Sequence, residues 1–146
     1  MKDKINIKGI VRVQILSRDG RVIEERILRN TVLIGGANDL LNVIRGTYTV
    51  TAWNKVNIYD RYETYIKTLT GSWSDILSGA GYNYIVLVAE DTSTDDYYFG
   101  FFGLDYTTRT TLDDNRLAYD YGTTGHKASD QILKVTWEVR IAYSTI

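Results

Sequence analysis

From Ile5 to Leu16 the apolar side chains Ile5, Ile7, Val11, Val13 and Ile15 fall on odd positions, with Asn6, Lys8, Arg12 and Gln14 between them. A period of two predicts a strand with one dry face, and Gly9 marks a bend in it. Ser17-Arg18-Asp19-Gly20 supplies a tight turn. The run from Arg21 to Leu28 carries Val22, Ile23, Ile27 and Leu28 and completes a hairpin. The same alternation returns at the other end of the chain. Leu133, Val135, Trp137, Val139, Ile141 and Tyr143 alternate with Lys134, Thr136, Glu138 and Arg140, the signature of an antiparallel strand. The first and last strands match in length and phase. They are therefore predicted to pair, which removes an exposed edge, and Trp137 is predicted to lie in the core.

Between these strands the period changes once. Asn30-Thr31 ends the hairpin, Val32-Leu33-Ile34 is apolar, and Gly35-Gly36 reads as a break. Ala37, Leu40, Leu41 and Ile44 then follow helical spacing, with Val43 widening the stripe. Arg45 suits the last turn and Gly46 the C-cap. The stripe is expected to cover the sheets. Thr47 to Asp60 and Tyr62 to Leu69 read as strands, and Thr70 to Tyr82 as a loop containing one helical turn at Ser74–Leu77. Tyr84 to Ala89 is almost continuously apolar and reads as a central buried strand. Tyr97 to Leu104 is an aromatic strand, and Asp105 to Asp130 a long loop with short strands. Seven or eight strands with one short helix predict an all-β fold, an antiparallel β-sandwich or β-barrel of jelly-roll-like kind. Residues 1–146 form one domain, with Met1 to Lys4 as a candidate N-terminal arm.

The chain has 146 residues, with 17 Lys+Arg, 18 Asp+Glu, one His and a net charge of -1. That balance argues against a polybasic surface for nucleic acid. No run of about 18 apolar residues predicts a membrane helix, and the opening residues do not resemble a signal peptide. Cysteine is absent, which removes disulfides, thiolate metal sites and cysteine nucleophiles. Proline is absent as well, so turns depend on Gly, Asp, Asn and Ser.

Candidate chemistry is sparse. His126, the one histidine, sits in the polar stretch Gly122 to Lys127 and reads as a surface-loop residue. No serine stands in a G-x-S-x-G elbow, and Gly35-Gly36 lacks a phosphate-loop pattern. Asp91, Asp95 and Asp96 bring carboxylates into one loop and are candidate calcium ligands, although the loop lacks the central Gly of an EF-hand. Asp95 or Asp96 with Asp113 or Asp114 would be the carboxylate pair of a glycosidase. None of these makes a catalytic set. The expectation is no enzyme, no catalytic residue and no cofactor. Tyr97-Tyr98-Phe99-Gly100-Phe101-Phe102 is the candidate contact segment: by alternation Tyr97, Phe99 and Phe101 share one face, and Tyr98 and Phe102 the other. One set fills the core. The other is left for the second sheet, a neighbouring subunit or a ligand.

The order of elements from Ile7 to Gly46 is hairpin with an Asp19-Gly20 turn, then Asn30-Thr31-Val32, a glycine pair and the helix Leu40-Leu41-Asn42-Val43-Ile44. It resembles the start of small virion proteins of tailed bacteriophages and related archaeal viruses, among them capsid decoration and tail or fibre components. The resemblance implies a non-enzymatic structural role in the virion. It further implies a homo-oligomer, a trimer for a decoration protein, bound to the major capsid protein or another virion protein, with no nucleic acid or membrane partner. Two other readings stand beside it. Trp53, Trp73 and Tyr97 to Phe102 suit a carbohydrate-binding module, and the aspartates a small glycosidase.

Overall fold

The computed structural model describes residues 5–29, 31–32, 34–46 and 51–143. The arm expected at Met1 to Lys4 lies outside them, as do Asn30, Leu33 and the first part of the strand expected from Thr47. The elements are β1 (Ile5–Ser17), β2 (Val22–Arg29), β3 (Thr31–Val32), α1 (Ile34–Ile44), β4 (Lys55–Tyr59), β5 (Tyr65–Thr70), β6 (Ser72–Trp73), β7 (Leu77–Gly79), β8 (Tyr82–Asp91), β9 (Tyr97–Asp105), β10 (Leu117–Lys127) and β11 (Gln131–Tyr143), with a 3₁₀ turn at Leu112–Asp114. They form an all-β sandwich of two antiparallel sheets. The first runs β2-β1-β11-β8-β6, with β7 also on β8; the second runs β3-β10-β9-β4-β5. The predicted pairing of first and last strands is present, in register from Ile5 opposite Tyr143 to Ser17 opposite Gln131.

Alternation decides which side chains meet between the sheets. Val11, Val13 and Ile15 of β1, Leu133, Val135 and Trp137 of β11, and Leu87 and Ala89 of β8 are buried from one side. Val56, Ile58, Phe99, Phe102, Leu104, Leu117, Tyr119 and Tyr121 meet them from the other. Each large aliphatic side chain so buried contributes about 1.5–3 kcal/mol. Two expectations need correction. The apolar run in β8 is not covered on both faces: Leu87, Ala89 and Asp91 point inward, while Val88 lies exposed on the open face of the first sheet. Nor is Leu117 to Lys127 a loop. Leu117, Tyr119 and Tyr121 alternate into the core, and the strand is hidden in the sequence by an excursion between Asp120 and Gly125 that breaks its register with β9. Gly122, at φ 88, makes that excursion possible.

The outer face of the second sheet is covered by residues 106–116 through a polar layer. Asn57 Nδ2 donates to Asn115 Oδ1 (2.7 Å), Asn115 Nδ2 donates to the Tyr59 hydroxyl (2.7 Å), and that hydroxyl donates to the Arg109 carbonyl. Asn57, Tyr59, Asp105 and Asn115 are all fully buried. Gly103 lets the cover approach, since a Cβ there would overlap the Asn115 side chain.

Tyrosines held in this way make the fold sensitive to alkali. Burial pushes the hydroxyls of Tyr59 and Tyr119 up to about 12, and burial likewise raises Tyr97 and Tyr121. An unfolded tyrosine loses its proton near pH 10. The folded state therefore binds more protons above that point, and its stability falls as pH rises from about 10 through 12. Equilibrium denaturation between pH 8 and 12 is expected to show a flat plateau to about pH 10 and then a steep decline. A midpoint constant to pH 12 would show that these rings meet water.

Candidate functional site

The most unusual surface lies at α1. At about 100° per residue, Gly36, Asp39 and Val43 fall on one side of the helix, Leu41 and Ile44 on the far side, and Leu40 at the margin. The structure seats the first side inward. A Cβ on Gly36 would stand 2.5 Å from the Arg116 carbonyl oxygen, so only glycine permits the approach. Asp39 is buried, and its Oδ2 lies 2.6 Å from Arg116 Nε, while Arg116 Nη1 lies 3.7 Å from the fully buried Asp105 carboxylate. The helix thus docks through an ion pair and a glycine. The aliphatic side chains are largely exposed: Leu41 61%, Ile44 73% and Leu40 43%, and Val43, on the inward side but in the last turn, 41%. The stripe expected to cover the sheets is only partly turned to them: Ala37, Leu40 and Leu41 border a groove against the strands, and Ile44 is exposed. Each of these side chains forgoes on the order of 1 kcal/mol of burial.

An apolar groove of about 420 Å³ lies here, lined by Ala37, Leu40 and Leu41 of the helix and by Ile7, Trp53, Val139 and Ile141 among others. Its floor follows from strand length. Ile7 and Ile141 are register partners on the inward-facing side of β1 and β11, but both are left half-exposed, whereas Val11 and Trp137 on the same face are fully buried. A second hollow of about 330 Å³ continues across Val139 and Ile141 to Ile76, Tyr84 and Ile85.

The aromatic segment departs from simple alternation. Tyr97, Phe99 and Phe102 are all buried, with Phe99 and Phe102 ring centroids 5.3 Å apart and Phe99 edge-on to Tyr121 at 5.0 Å. Phe101 is half-buried beneath Arg61, whose guanidinium lies 5.2 Å from its ring. Tyr98 is exposed and stacked on His126 at 4.4 Å. Phe101 and Phe102 have exchanged the faces expected of them, because β9 changes phase opposite the Asp120–Gly125 excursion. Gly100 fits there against Arg61, with 2.5 Å between an added Cβ and Arg61 Cδ. Of the five aromatics expected at a contact surface, Tyr98 and Phe101 reach outward; Tyr97, Phe99 and Phe102 belong to the core. Trp53 and Trp73 pack against that core too, with Trp73 Nε1 donating to the Trp53 carbonyl at 2.9 Å.

The acidic loop between β8 and β9 already holds cations, and they are side chains. Lys67 Nζ lies 3.0 Å from Asp91 Oδ2 and 2.7 Å from Asp95 Oδ2. Tyr97 donates to Asp91 Oδ2 at 2.6 Å and the Ser93 amide to Oδ1 at 3.0 Å. Burial pushes the Asp91 carboxyl upward, but hydrogen bonds from Ser93, Tyr97 and Lys67 outweigh it and hold the group well below the usual range. Lys67 is likewise held above the usual lysine value: burial opposes this, and its bonds to Asp95 and Asp91 prevail. Lys127 is fully buried and donates to the carbonyls of Ser93 (2.8 Å), Asp95 (2.7 Å) and Ala128 (3.3 Å). Arg18, in the β1–β2 turn, reaches the carbonyls of Thr92 (2.6 Å), Ser93 (3.1 Å) and Ser129 (3.2 Å). Asp96, the third candidate ligand, pairs with His126 Nε2 at 2.6 Å. Asp91 and Asp95, named as calcium candidates, are thus partners of Lys67, and Asp96 of His126. Among the described residues no three His, Asp or Glu side chains form a metal-binding group.

The chain matches no protein-family model, no curated protein and no solved structure. The surface that stands out is the exposed stripe and groove at α1. Its residues are legible as an apolar stripe, but spacing alone assigns that stripe to the core. The signal that reverses it is Asp39 with Gly36, a polar and a small residue three apart where a core-facing helix would carry aliphatics.

Proposed function

We propose that the protein is a non-enzymatic virion structural protein, associated with or decorating the capsid, that stabilises the particle through oligomeric protein–protein contacts. The observation that carries this reading is a coincidence of location. The segment resembling small virion proteins, residues 7–46, is also where Ile7, Ile23, Ile27, Leu28, Leu41 and Ile44 are left exposed. Exposed aliphatic side chains concentrated in one segment support contact with another macromolecule. A shell-stabilising protein needs that face on a body that does not deform, and the cation-clamped turns and polar cover of the sandwich provide one. The homotrimer and the contact with a major capsid protein belong to the same proposal. Mass spectrometry of purified particles is expected to find the protein at a copy number comparable with that of the capsid subunit. Particles that lack it would overturn the reading.

A further inference from the structure

We infer that the open face of the first sheet carries a binding site for an acidic saccharide, a sugar acid such as a uronic or sialic acid within a glycan. The site is separate from the groove at α1, and it does not depend on the virion reading. The sheet shapes it. Even-numbered residues of β1, β11 and β8 point away from the core, and across them lies a hollow of about 390 Å³. Its walls come from opposite margins of the sheet, Ile27 of β2 and Leu77 of β7, and its floor from the three strands between them. Four strand spacings, about 19 Å, separate those margins. That width suits an extended occupant rather than a single small ion.

The lining chooses the occupant. Arg12 and Arg140 both line the hollow, and each guanidinium is tied down through one nitrogen only. Arg140 Nε lies 2.5 Å from Glu138 Oε2, and Arg12 Nε lies 3.2 Å from Glu25 Oε1. Neither guanidinium makes a further hydrogen bond among the described residues, so the terminal nitrogens of both keep their donors free. The Tyr82 ring backs Arg140, with 4.5 Å between its centroid and the guanidinium carbon. A guanidinium held in this way offers the paired donors that a carboxylate accepts. Lys8 stands directly across the ladder from Arg140, so three cations, Lys8, Arg12 and Arg140, face two carboxylates, Glu25 and Glu138. The excess of one favours an anion. The rest of the lining asks for more than charge: Ile10, Val86 and Tyr84 supply apolar area, and Thr136 and Glu138 supply acceptors. A phosphate or sulfate ion would use neither. A sugar acid uses all of it. Its carboxylate takes the guanidiniums, its hydroxyls donate to Glu138 and Thr136, and the C–H face of its ring rests on the apolar floor.

Isothermal titration calorimetry on the full chain tests this with tetragalacturonate and sialyllactose as probes, and with maltotetraose and lactose as their neutral counterparts. At least one acidic probe is expected to bind with a dissociation constant below about 1 mM, and its neutral counterpart at least tenfold more weakly. Arg12→Met/Arg140→Met keeps both stems and is expected to weaken the acidic probe at least tenfold, with an unchanged far-ultraviolet circular dichroism spectrum. Lys134→Met, on the same face but opposite Gln14 and beyond the hollow, should bind like the wild type. If the double variant loses its fold, Arg12→Met takes its place with the same direction of change, since the Arg12 side chain is already 51% exposed. Failure of both acidic probes to bind would overturn the inference, as would equal binding of the neutral sugars or a folded double variant that binds like the wild type. Tetraglutamate bound as tightly as tetragalacturonate would overturn it too, because charge alone would then suffice. None of these results touches the virion reading, and particles that lack the protein would leave the saccharide site standing.

Discussion

Replacing Lys127 by Met is expected to lower the free energy of unfolding by about 3 kcal/mol, a large change for a position at a strand end. The ammonium is fully buried and donates to three carbonyls, those of Ser93, Asp95 and Ala128. Met matches the stem in length and keeps its packing, so the loss isolates the polar head. Without it, the acceptors in the β8–β9 loop face a thioether that cannot donate. Hydrogen bonds to charged groups are worth about 1.5–3 kcal/mol, and acceptors left buried without a donor add to the cost. Burial draws the Lys127 ammonium below the usual lysine value, aided by Arg18 and Lys67, while Asp91 and Asp95 oppose the shift. Lys127→Arg is not expected to restore the loss, because a planar fork does not reproduce donation from one tetrahedral centre. Urea denaturation of the three proteins reads the effect. A loss below about 1 kcal/mol for Lys127→Met would mean that water replaces the ammonium freely.

The same site shows where sequence stops being informative. A loop with Asp91, Ser93, Asp95 and Asp96 offers oxygens to any cation. Which cation arrives depends on residues far along the chain: Arg18 from the β1–β2 turn, Lys67 from β5 and Lys127 from the end of β10. Nothing local announces them. Strands with one wet face are plain, because solvent forces strict alternation on β1 and β11 and the register then follows. Strand β10 is hidden because residues between Asp120 and Gly125 leave the ladder, so the period of two is interrupted in its middle. The phase change in β9 has the same origin and moves Phe102 inward and Phe101 outward. The helix is located by its spacing and its Gly46 cap, at φ 72, but it begins at Ile34, so the glycine pair lies inside it. Its orientation is not legible, because Arg116, which draws Asp39 inward, is 77 residues away. The candidate surface escapes the sequence for that reason alone: its residues are visible there, and their direction is set by a long-range ion pair.

Replacing Trp137 by Ala is expected to cost about 3–5 kcal/mol, the largest effect expected of a single substitution in this fold. Trp137 is fully buried, the largest such side chain among the described residues, and sits midway along β11 between Val11 of β1 and Leu87 of β8. It faces the second sheet, so its removal opens a void that the paired strands on either side cannot close by moving inward. The cost then has two parts: the transfer free energy of the deleted ring, and the dispersion attraction forfeited by the side chains that line the void. One feature works against the native residue: its Nε1 hydrogen has no hydrogen-bond acceptor among the described residues. An unsatisfied buried donor carries a penalty of about 1–3 kcal/mol. Trp137→Phe removes that donor while keeping most of the volume, so it should cost far less than the alanine change, about 1 kcal/mol. Chemical denaturation of the two variants separates packing from polarity. A Phe variant as damaged as the Ala variant would mean that Nε1 has found an acceptor. An Ala variant destabilised by less than about 1 kcal/mol would mean that β11 does not run through the centre of the core.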